Sequence, residues 1–160
     1  GLLLWGSVGS GKSYMAACVA NELIKQGADV KMTNFATVLN DLFNCEDKNE
    51  YIRSLCRYSL LILDDLGIER NTEYSLENLF NVIDARYVSG KPMIITTNLH
   101  LNELMNQKQL SLKRIYDRVL ERCIPVCVSE NDFRKDNRVE AKVKFGKIIN
   151  GGKMDEEKYE

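Results

Sequence analysis

The fold is decided by eight consecutive residues near the start of the chain, Gly6-Ser7-Val8-Gly9-Ser10-Gly11-Lys12-Ser13. They match the pattern G-x-x-x-x-G-K-[ST] of a phosphate-binding loop, the P-loop. Glycines allow the tight turn that directs several backbone N–H groups at one anion, and a helix beginning near Lys12 adds the positive end of its dipole. The Lys12 ammonium can reach the β- and γ-phosphates of a nucleoside triphosphate, and the Ser13 hydroxyl can bind Mg²⁺. The alternative is an ordinary Gly/Ser turn before a helix.

The sequence on both sides of this loop favours the phosphate-binding interpretation. An apolar run at residues 2–5 precedes the loop and predicts a buried strand. Apolar residues then recur at helical spacing from Met15 to Leu23, and Gly27 is a natural stop for a helix over residues 12–26. Strand, glycine loop and helix form the local context that the motif requires.

Further strands and helices alternate along the rest of the chain. The predicted strands after the first cover residues 30–33, 58–63, 93–97 and 124–128. Helices are predicted over residues 35–43, 51–55, 72–89, 99–105, 112–123 and 131–145, with a polar turn at residues 44–49. This alternation predicts a parallel sheet with helices on both faces, in which ligands bind at the carboxyl ends of the strands.

Composition is that of a soluble globular protein of about one domain. The 160 residues are 44% hydrophobic and 28% charged, and the net charge of −1 neither favours nor excludes a nucleic-acid partner. No apolar run reaches the length of a membrane span. The five cysteines show no metal-binding spacing, so we expect small buried thiols in a reducing cytoplasm: Cys18, Cys45, Cys56, Cys123 and Cys127.

The ends of the chain carry two further expectations. The chain begins inside a predicted core strand and without a methionine, so we expect an upstream segment in the full protein. Residues 1–145 are predicted to form the folded core, and the acidic, glycine-containing residues 146–160 a flexible tail.

Two carboxylates follow the third predicted strand. Asp64 ends the apolar run, where it can hold Mg²⁺ together with Ser13. Asp65 should point the other way along an extended chain and can orient or deprotonate the water that attacks the γ-phosphate. The alternative is a pair of acids in a turn at the end of a strand.

Polar residues near the fourth strand and the last helices complete the candidate set. Asn98 follows a strand expected beside that of the loop, where its amide can hold the attacking water or contact the γ-phosphate. Arg114, Arg118 and Arg122 share one helix face, either as a solvated basic face or as the source of an arginine finger for a neighbouring subunit. The pattern alone does not separate the three. Arg134 can contact the phosphates or cap the final helix.

The order and spacing of these motifs resemble the AAA+ ATPases of the DnaC/DnaI helicase-loader family, with the IstB transposition helpers as close relatives. The resemblance covers residues 1 to about 142 and rests on the loop, on Leu61-Ile62-Leu63-Asp64-Asp65-Leu66-Gly67, Thr96-Thr97-Asn98-Leu99, Arg114-Ile115-Tyr116-Asp117-Arg118-Val119 and Phe133-Arg134. It implies a three-layer P-loop NTPase fold with a five-stranded parallel sheet. It also implies a helical insert after the second strand and no full C-terminal lid domain.

The resemblance also implies roles for individual residues in an ATPase that uses ATP and Mg²⁺. Gly6 to Ser13, Tyr14 and Arg134 would bind the nucleotide, and Ser13 with Asp64 would bind the metal. Lys12, Asp65, the sensor Asn98 and the arginine finger Arg118 would be catalytic. Here the match to Ile115-Tyr116-Asp117-Arg118 selects Arg118 over its two neighbours. Most AAA+ proteins have Glu where this chain has Asp65, so hydrolysis should be slow without partners.

The family's partners are the last implication of the resemblance. A cytoplasmic, self-associating loader would bind a replicative DNA helicase through the upstream segment. Its helical insert, residues 35–57, would contact single-stranded DNA, with these candidates: Phe43, Lys48, Arg53, Arg57 and, after the third strand, Tyr74. Phe43 could instead be a core residue. The alternatives for the whole chain are an IstB-type transposition helper, a P-loop kinase for a small molecule, and a protein that binds nucleotide without hydrolysing it.

Overall fold

A parallel sheet of five strands organises the computed structural model, which describes residues 1–67 and 72–128. Its strands are β1 (Leu2–Trp5), β2 (Val30–Asn34), β3 (Leu60–Leu66), β4 (Met93–Thr97) and β5 (Ile124–Cys127). The strand order is β2-β3-β4-β1-β5, and each neighbouring pair is parallel. The predicted α/β fold is therefore confirmed, and β1 lies beside β4 as expected.

Helices connect the strands and cover both faces of the sheet. They are α1 (Lys12–Lys25), α2 (Phe35–Asn44), α3 (Lys48–Arg57), α4 (Glu73–Val88), α5 (Leu101–Met105) and α6 (Leu110–Arg122). α2 and α3 lie between β2 and β3, where the helical insert is predicted. Among the described residues, none of the helices combines the length and apolar character that a membrane crossing requires.

The core has two parts because successive side chains of a strand point to opposite faces. On one face, Leu60 and Ile62 pack with Ala16 and Ala20 of α1. On the other face, Leu61 and Leu63 of the same strand pack with buried residues of α2, α3, α4 and α6. This two-sided burial explains why residues 60–63 form an unbroken apolar run.

Several boundaries differ from the prediction, and three of them have a visible local cause. α3 begins at Lys48, inside the predicted turn, because Oδ1 of Asp47 accepts the N–H of Glu50 at 2.9 Å. β3 begins at Leu60 rather than at Tyr58, which ends α3. α5 begins only at Leu101 because His100 is its extended N-cap. The predicted helix 131–145 and the tail 146–160 lie outside the described residues.

The expectation of buried thiols holds for Cys123, which is buried beneath β4, and is wrong for two others. Cys18 and Cys127 are exposed, and Cys45 and Cys56 are partly buried. Cys18 lies on the solvent side of α1, and Cys127 lies on β5, an edge strand whose side chains are mostly exposed.

Arg86 of α4 is a buried cation that ties the insert to the sheet. Its side chain has 0% exposure. Its guanidinium donates to the carbonyl oxygens of five residues, Leu55, Cys56, Tyr58, Ser59 and Pro92. These carbonyls belong to the end of α3 and to the segments that lead into β3 and β4. Arg86 therefore fixes the ends of three elements at once, and burial lowers its pKa.

Candidate functional site

The loop between β1 and α1 has the backbone conformation that a phosphate-binding loop needs. Gly6, Gly9 and Gly11 have φ angles of 147°, 85° and 92°, in the region that favours glycine. A Cβ on Gly6 would lie 2.4 Å from the carbonyl oxygen of Val128, so the loop approaches the end of β5 too closely for any side chain. Gly11 is the N-cap of α1 and directs the loop into the helix.

The ammonium group of Lys12 lies inside this loop. Lys12 is only 5% exposed, and its Nζ donates to the carbonyl oxygens of Gly6 at 3.0 Å and Ser7 at 2.7 Å. Nζ also lies 3.4 Å from Oγ of Ser10, a second buried residue of the loop. A phosphate oxygen would accept a charge-assisted hydrogen bond from this cation, and such bonds are about twice as strong as those between neutral groups.

Ser13 and Asp64, which the sequence assigns to the metal, are in direct contact. Oγ of Ser13 donates to Oδ1 of Asp64 at 2.9 Å, and Oγ1 of Thr96 donates to the same oxygen at 2.6 Å. Three elements, α1, β3 and β4, therefore converge on one carboxylate. Hydroxyl and carboxylate oxygens are ligands that Mg²⁺ accepts, so Ser13 and Asp64 fit the ion and would be the residues that hold it.

Asp65 does not continue the extended chain, so the alternation that predicts its side chain opposite that of Asp64 does not apply to it. Its φ angle is 60°, and the pairing of β3 with β4 shifts register between Leu63 and Leu66. This bulge interrupts the two-residue alternation of the strand, so both acids line the same groove. The backbone N–H of Asp65 donates to Oγ1 of Thr96 at 2.9 Å, which holds the residue in its left-handed conformation.

Asn98 lies where the sequence places it, directly after β4 and partly buried. The turn that carries it is fixed by Thr97, whose hydroxyl donates to the carbonyl oxygen of Leu66 at 2.7 Å and accepts the N–H of Leu99 at 3.1 Å. Because β4 pairs with β1, this turn lies at the same edge of the sheet as the glycine loop. The loop, the two acids and Asn98 therefore lie at the carboxyl ends of three adjacent strands.

The arginines of α6 do not form a simple solvated face. Arg114 stacks on Phe80 of α4, with 4.8 Å from its Cζ to the ring centroid, and Arg118 and Arg122 stack on Tyr87 at 4.4 and 5.6 Å. Nε of Arg118 also lies 3.1 Å from Oδ1 of Asp84. That oxygen has no hydrogen bond of good geometry, so the contact is an ion pair rather than a directed hydrogen bond.

Two further residues predicted to bind the nucleotide, Tyr14 and Arg134, add little to the description of the site. Tyr14 is 77% exposed at the start of α1, beside the loop in sequence. Arg134 lies outside the described residues. Neither position changes the assignment of the loop itself.

A groove of about 580 Å³ runs between α2 and the start of α4 and ends at the two acids. Phe43 is 74% exposed there, so it is not a core residue, and its ring meets the ring of Tyr74 edge-on at 6.2 Å. Nζ of Lys48 lies 4.7 Å from the centre of the Tyr74 ring. Arg53 and Arg57, by contrast, do not line the groove, and both contact Glu50. The structure thus groups three of the five predicted DNA-contact residues.

Two residues of this site were missed by the sequence analysis, Thr96 and Asp84. Thr96 is a fully buried hydroxyl at the end of an apolar strand, and that unusual position was a usable signal. Asp84 gave no signal, because its partner Arg118 is 34 positions away on another helix. Such pairs join helices that lie far apart in the sequence, so no local pattern predicts them.

Comparison with known proteins identifies relatives over most of the chain. The family model described as IstB-like ATP binding protein matches residues 1–141. The chain is 33% identical over 118 residues to the uncharacterized protein YdaV of Escherichia coli K12, a match that covers 71% of the chain and 46% of YdaV. It is 30% identical over 100 residues to the putative ATP-binding protein Rv3427c in insertion sequence of Mycobacterium tuberculosis, covering 61% of the chain and 40% of that protein.

A third relative is the replicative helicase loader DnaC of Escherichia coli K12, which is 27% identical over 119 residues, or 71% of the chain and 47% of DnaC. The chain therefore spans about half the length of these curated relatives. Among solved structures, DnaI superposes with a TM-score of 0.69 at 25% identity over 82% of the chain and 71% of DnaI. The DnaC helicase loader superposes with a TM-score of 0.66 at 23% identity, over 80% of the chain and 77% of DnaC, which supports the fold.

Proposed function

Because the chain belongs to the family of IstB-like ATP-binding proteins, we propose that it is the ATPase core of a protein that hydrolyses ATP with Mg²⁺. The observation that carries this proposal is the contact between Ser13 and Asp64 beside the buried ammonium of Lys12. A loop that binds phosphate needs only the glycines and the lysine. A serine and a carboxylate 2.9 Å apart add what a metal-assisted reaction requires.

Each residue then has a defined task. The N–H groups of residues 6–13 and the ammonium of Lys12 bind the β- and γ-phosphates. Ser13 and Asp64 would hold the metal, which when bound would supply positive charge beside the phosphate oxygens. Asp65 orients or deprotonates the attacking water, and Asn98 senses the γ-phosphate. Arg118 of one subunit completes the site of the next, so the complete enzyme is an assembly.

The test of this proposal separates binding from hydrolysis in the full-length protein. Lys12→Ala should abolish binding of a fluorescent ATP analogue and phosphate release. The matched control Lys25→Ala removes an exposed lysine from the same helix, which forms an ion pair with Glu22 at 3.6 Å, and should retain both. Normal hydrolysis by Lys12→Ala would refute the site. Transfer of the phosphate to a small acceptor rather than to water would instead reveal a kinase.

For the cellular role, we propose that this ATPase helps to load a replicative DNA helicase onto single-stranded DNA. The support is the likeness to the helicase loader DnaC in sequence and fold, together with the groove beside the acids. Aromatic rings with a nearby cation bind single strands without sequence preference, as the exposed Phe43, the half-buried Tyr74 and Lys48 would do. DNA in this groove would lie directly beside Asp64 and Asp65, which offers a route from DNA binding to hydrolysis.

A second role, as ATPase subunit for a transposase, is favoured by a different observation. The family model is that of IstB-like proteins, and the relative Rv3427c is described as lying in an insertion sequence. Both roles use the same ATPase core, so the partner distinguishes them. Full-length protein with ATP should be mixed in turn with purified replicative helicase and with the transposase encoded nearest to it. Stable binding to the helicase supports the loader, and binding to the transposase alone overturns it.

A further inference from the structure

The guanidinium of Arg118 is held by side chains of its own subunit. Oδ1 of Asp84 lies 3.1 Å from Nε, and the Cζ atom lies 4.4 Å from the centre of the Tyr87 ring. The Tyr87 hydroxyl in turn donates to a carboxylate oxygen of Glu121 at 2.6 Å, which fixes the ring and raises the pKa of Tyr87. We call Asp84, Tyr87 and Glu121 the Arg118 cradle. It joins α4 to α6.

The cradle distinguishes Arg118 from its two neighbours on α6. Arg114 and Arg122 also stack on aromatic rings, but among the described residues only Arg118 of the three forms an ion pair with a carboxylate. Arg118 is nevertheless 38% exposed, so part of its side chain remains accessible to another molecule. Within the described part of the chain, Arg118 is therefore the one arginine of α6 that combines an ion pair with a partly exposed side chain.

We propose that Asp84 and Tyr87 are positioning residues that hold Arg118 ready to enter the nucleotide site of a neighbouring subunit. This inference rests on the proposed function, in which Arg118 acts between subunits. An arginine side chain has many rotamers, and fixing it before assembly lowers the entropy lost when it engages a phosphate. Asp84 reaches the guanidinium through Nε, which is not one of the two terminal amino groups. Bidentate contact with a phosphate can use those groups.

Subunit mixing in the full-length protein tests this directly. A Lys12→Ala subunit has no working site of its own but still supplies Arg118, so it acts as a donor. An Arg118→Ala subunit has its own site but supplies no arginine, so it acts as an acceptor. The mixture should hydrolyse ATP although neither variant does so alone. Asp84→Asn is then placed in the donor or in the acceptor.

A positioning role predicts an asymmetric result. Asp84→Asn in the donor should lower the kcat of the mixture about 2- to 10-fold at unchanged KM, the effect of freeing one flexible side chain. The same substitution in the acceptor should have no effect, because that subunit has no Arg118 to position. Asp84→Glu in the donor should restore part of the loss. Glu77→Gln, which removes an exposed carboxylate from the same helix, is the matched control and should leave the mixture unchanged.

The results that would contradict this inference differ from those that would contradict the role of Arg118 between subunits. If the unmodified mixture is inactive, the role of Arg118 between subunits fails, and with it this part of the proposed function. An equal loss in donor and acceptor would show that Asp84 is merely structural, and a gain in the donor would show that the cradle restrains Arg118; either result overturns the inference. If Asp84→Asn melts below the assay temperature, Tyr87→Leu replaces it in the donor. Tyr87→Phe keeps the ring but not the hydroxyl that binds Glu121, so it should lose less activity than Tyr87→Leu.

Discussion

The hydroxyl of Thr96 donates to Oδ1 of Asp64 at 2.6 Å while accepting the backbone N–H of Asp65 at 2.9 Å. One buried side chain on β4 thus controls the direction of one acid and the backbone of the next. Asn98 follows two residues later, directly after the same strand. A displacement of β4 at this point would therefore reach the proposed metal-binding acid, the proposed water-orienting acid and the proposed sensor together.

Thr96→Val should lower kcat for ATP hydrolysis by about 10-fold or more, because an unpaired polar group in a partly buried site costs about 1–3 kcal/mol. Valine has nearly the same shape, so the packing of β4 should survive. Thr96→Ser retains the hydroxyl and should retain most of the activity. Steady-state kinetics of the two variants check this, and equal kcat values for valine and threonine would contradict it.

Asp65→Asn should separate ATP binding from hydrolysis. Asparagine tolerates the left-handed φ of 60° and keeps the N–H that Thr96 accepts, so the backbone and nucleotide affinity should be unchanged. The loss of the carboxylate should lower kcat by about 10²- to 10⁴-fold if Asp65 is the general base. Equilibrium binding of a fluorescent ATP analogue and single-turnover hydrolysis measure the two effects. Full hydrolysis by this variant would remove Asp65 from the mechanism.

Phe43→Ala or Tyr74→Ala should weaken binding of single-stranded DNA by about 5-fold or more, since stacking one base on an aromatic ring contributes about 1–3 kcal/mol. Tyr74→Phe keeps the ring and should bind normally. Arg57→Ala should have a smaller effect, because Arg57 already contacts Glu50 and lies away from the groove. Fluorescence anisotropy with a labelled oligonucleotide measures the DNA affinity of all four variants in the full-length protein. A larger loss for Arg57→Ala than for Phe43→Ala would move the DNA site to the outer face of α3.

Arg86→Met should lower the free energy of unfolding by about 3–5 kcal/mol, the range seen when a buried charged network loses one member. Five carbonyl groups lose a donor, and the end of α3 loses its attachment to the sheet. Arg86→Lys keeps the charge but not the planar guanidinium, so its free energy of unfolding should lie between that of Arg86→Met and that of the unmodified protein. Urea unfolding followed by circular dichroism measures the loss, with exposed Arg53→Met as the control. A change below about 0.5 kcal/mol, typical of surface sites, would contradict the structural role.

Cys123 should react with iodoacetamide much more slowly than Cys18 or Cys127. Burial raises the pKa of Cys123 to about 11, so the thiolate, which is the reactive form, is scarce at pH 8. The two exposed thiols are accessible to the reagent. Peptide mass spectrometry over a time course gives the order of labelling. Rapid labelling of Cys123 in folded protein, before urea is added, would show that this part of α6 opens readily.

The sequence predicts the parts of the site that depend on local pattern. Gly6 to Ser13 form a contiguous motif, and Asp64 comes at the end of an apolar run. Because alternating strands and helices predict a parallel sheet, both features were expected at the same edge, where Ser13 and Asp64 are in contact. The exposure of Phe43 could not be decided, because an aromatic residue at helical spacing fits both the core and a binding surface. In the structure the Phe43 ring is exposed and lines the groove, so it belongs to a surface and not to the core.

What the sequence does not predict depends on pairings between distant elements. The left-handed turn at Asp65 arises from a register shift against β4, and alternation within β3 contains no sign of it. The contacts of Arg118 and Arg86 join helices to other helices and to the ends of strands, over separations of 6 to 34 positions. Such contacts follow from packing geometry, which a linear pattern of apolar residues does not specify.

The strand order has a consequence for synthesis of the chain. In the sheet, β1 pairs only with β4 and β5, whose residues are made about 90 and 120 positions after it. Since the chain is synthesised from its N-terminus at about 5–20 residues per second, the glycine loop emerges well before the strands that hold it. Nucleotide binding should therefore begin late in translation. A ribosome-bound chain truncated before β4 should fail to retain ATP, although its phosphate-binding motif is complete.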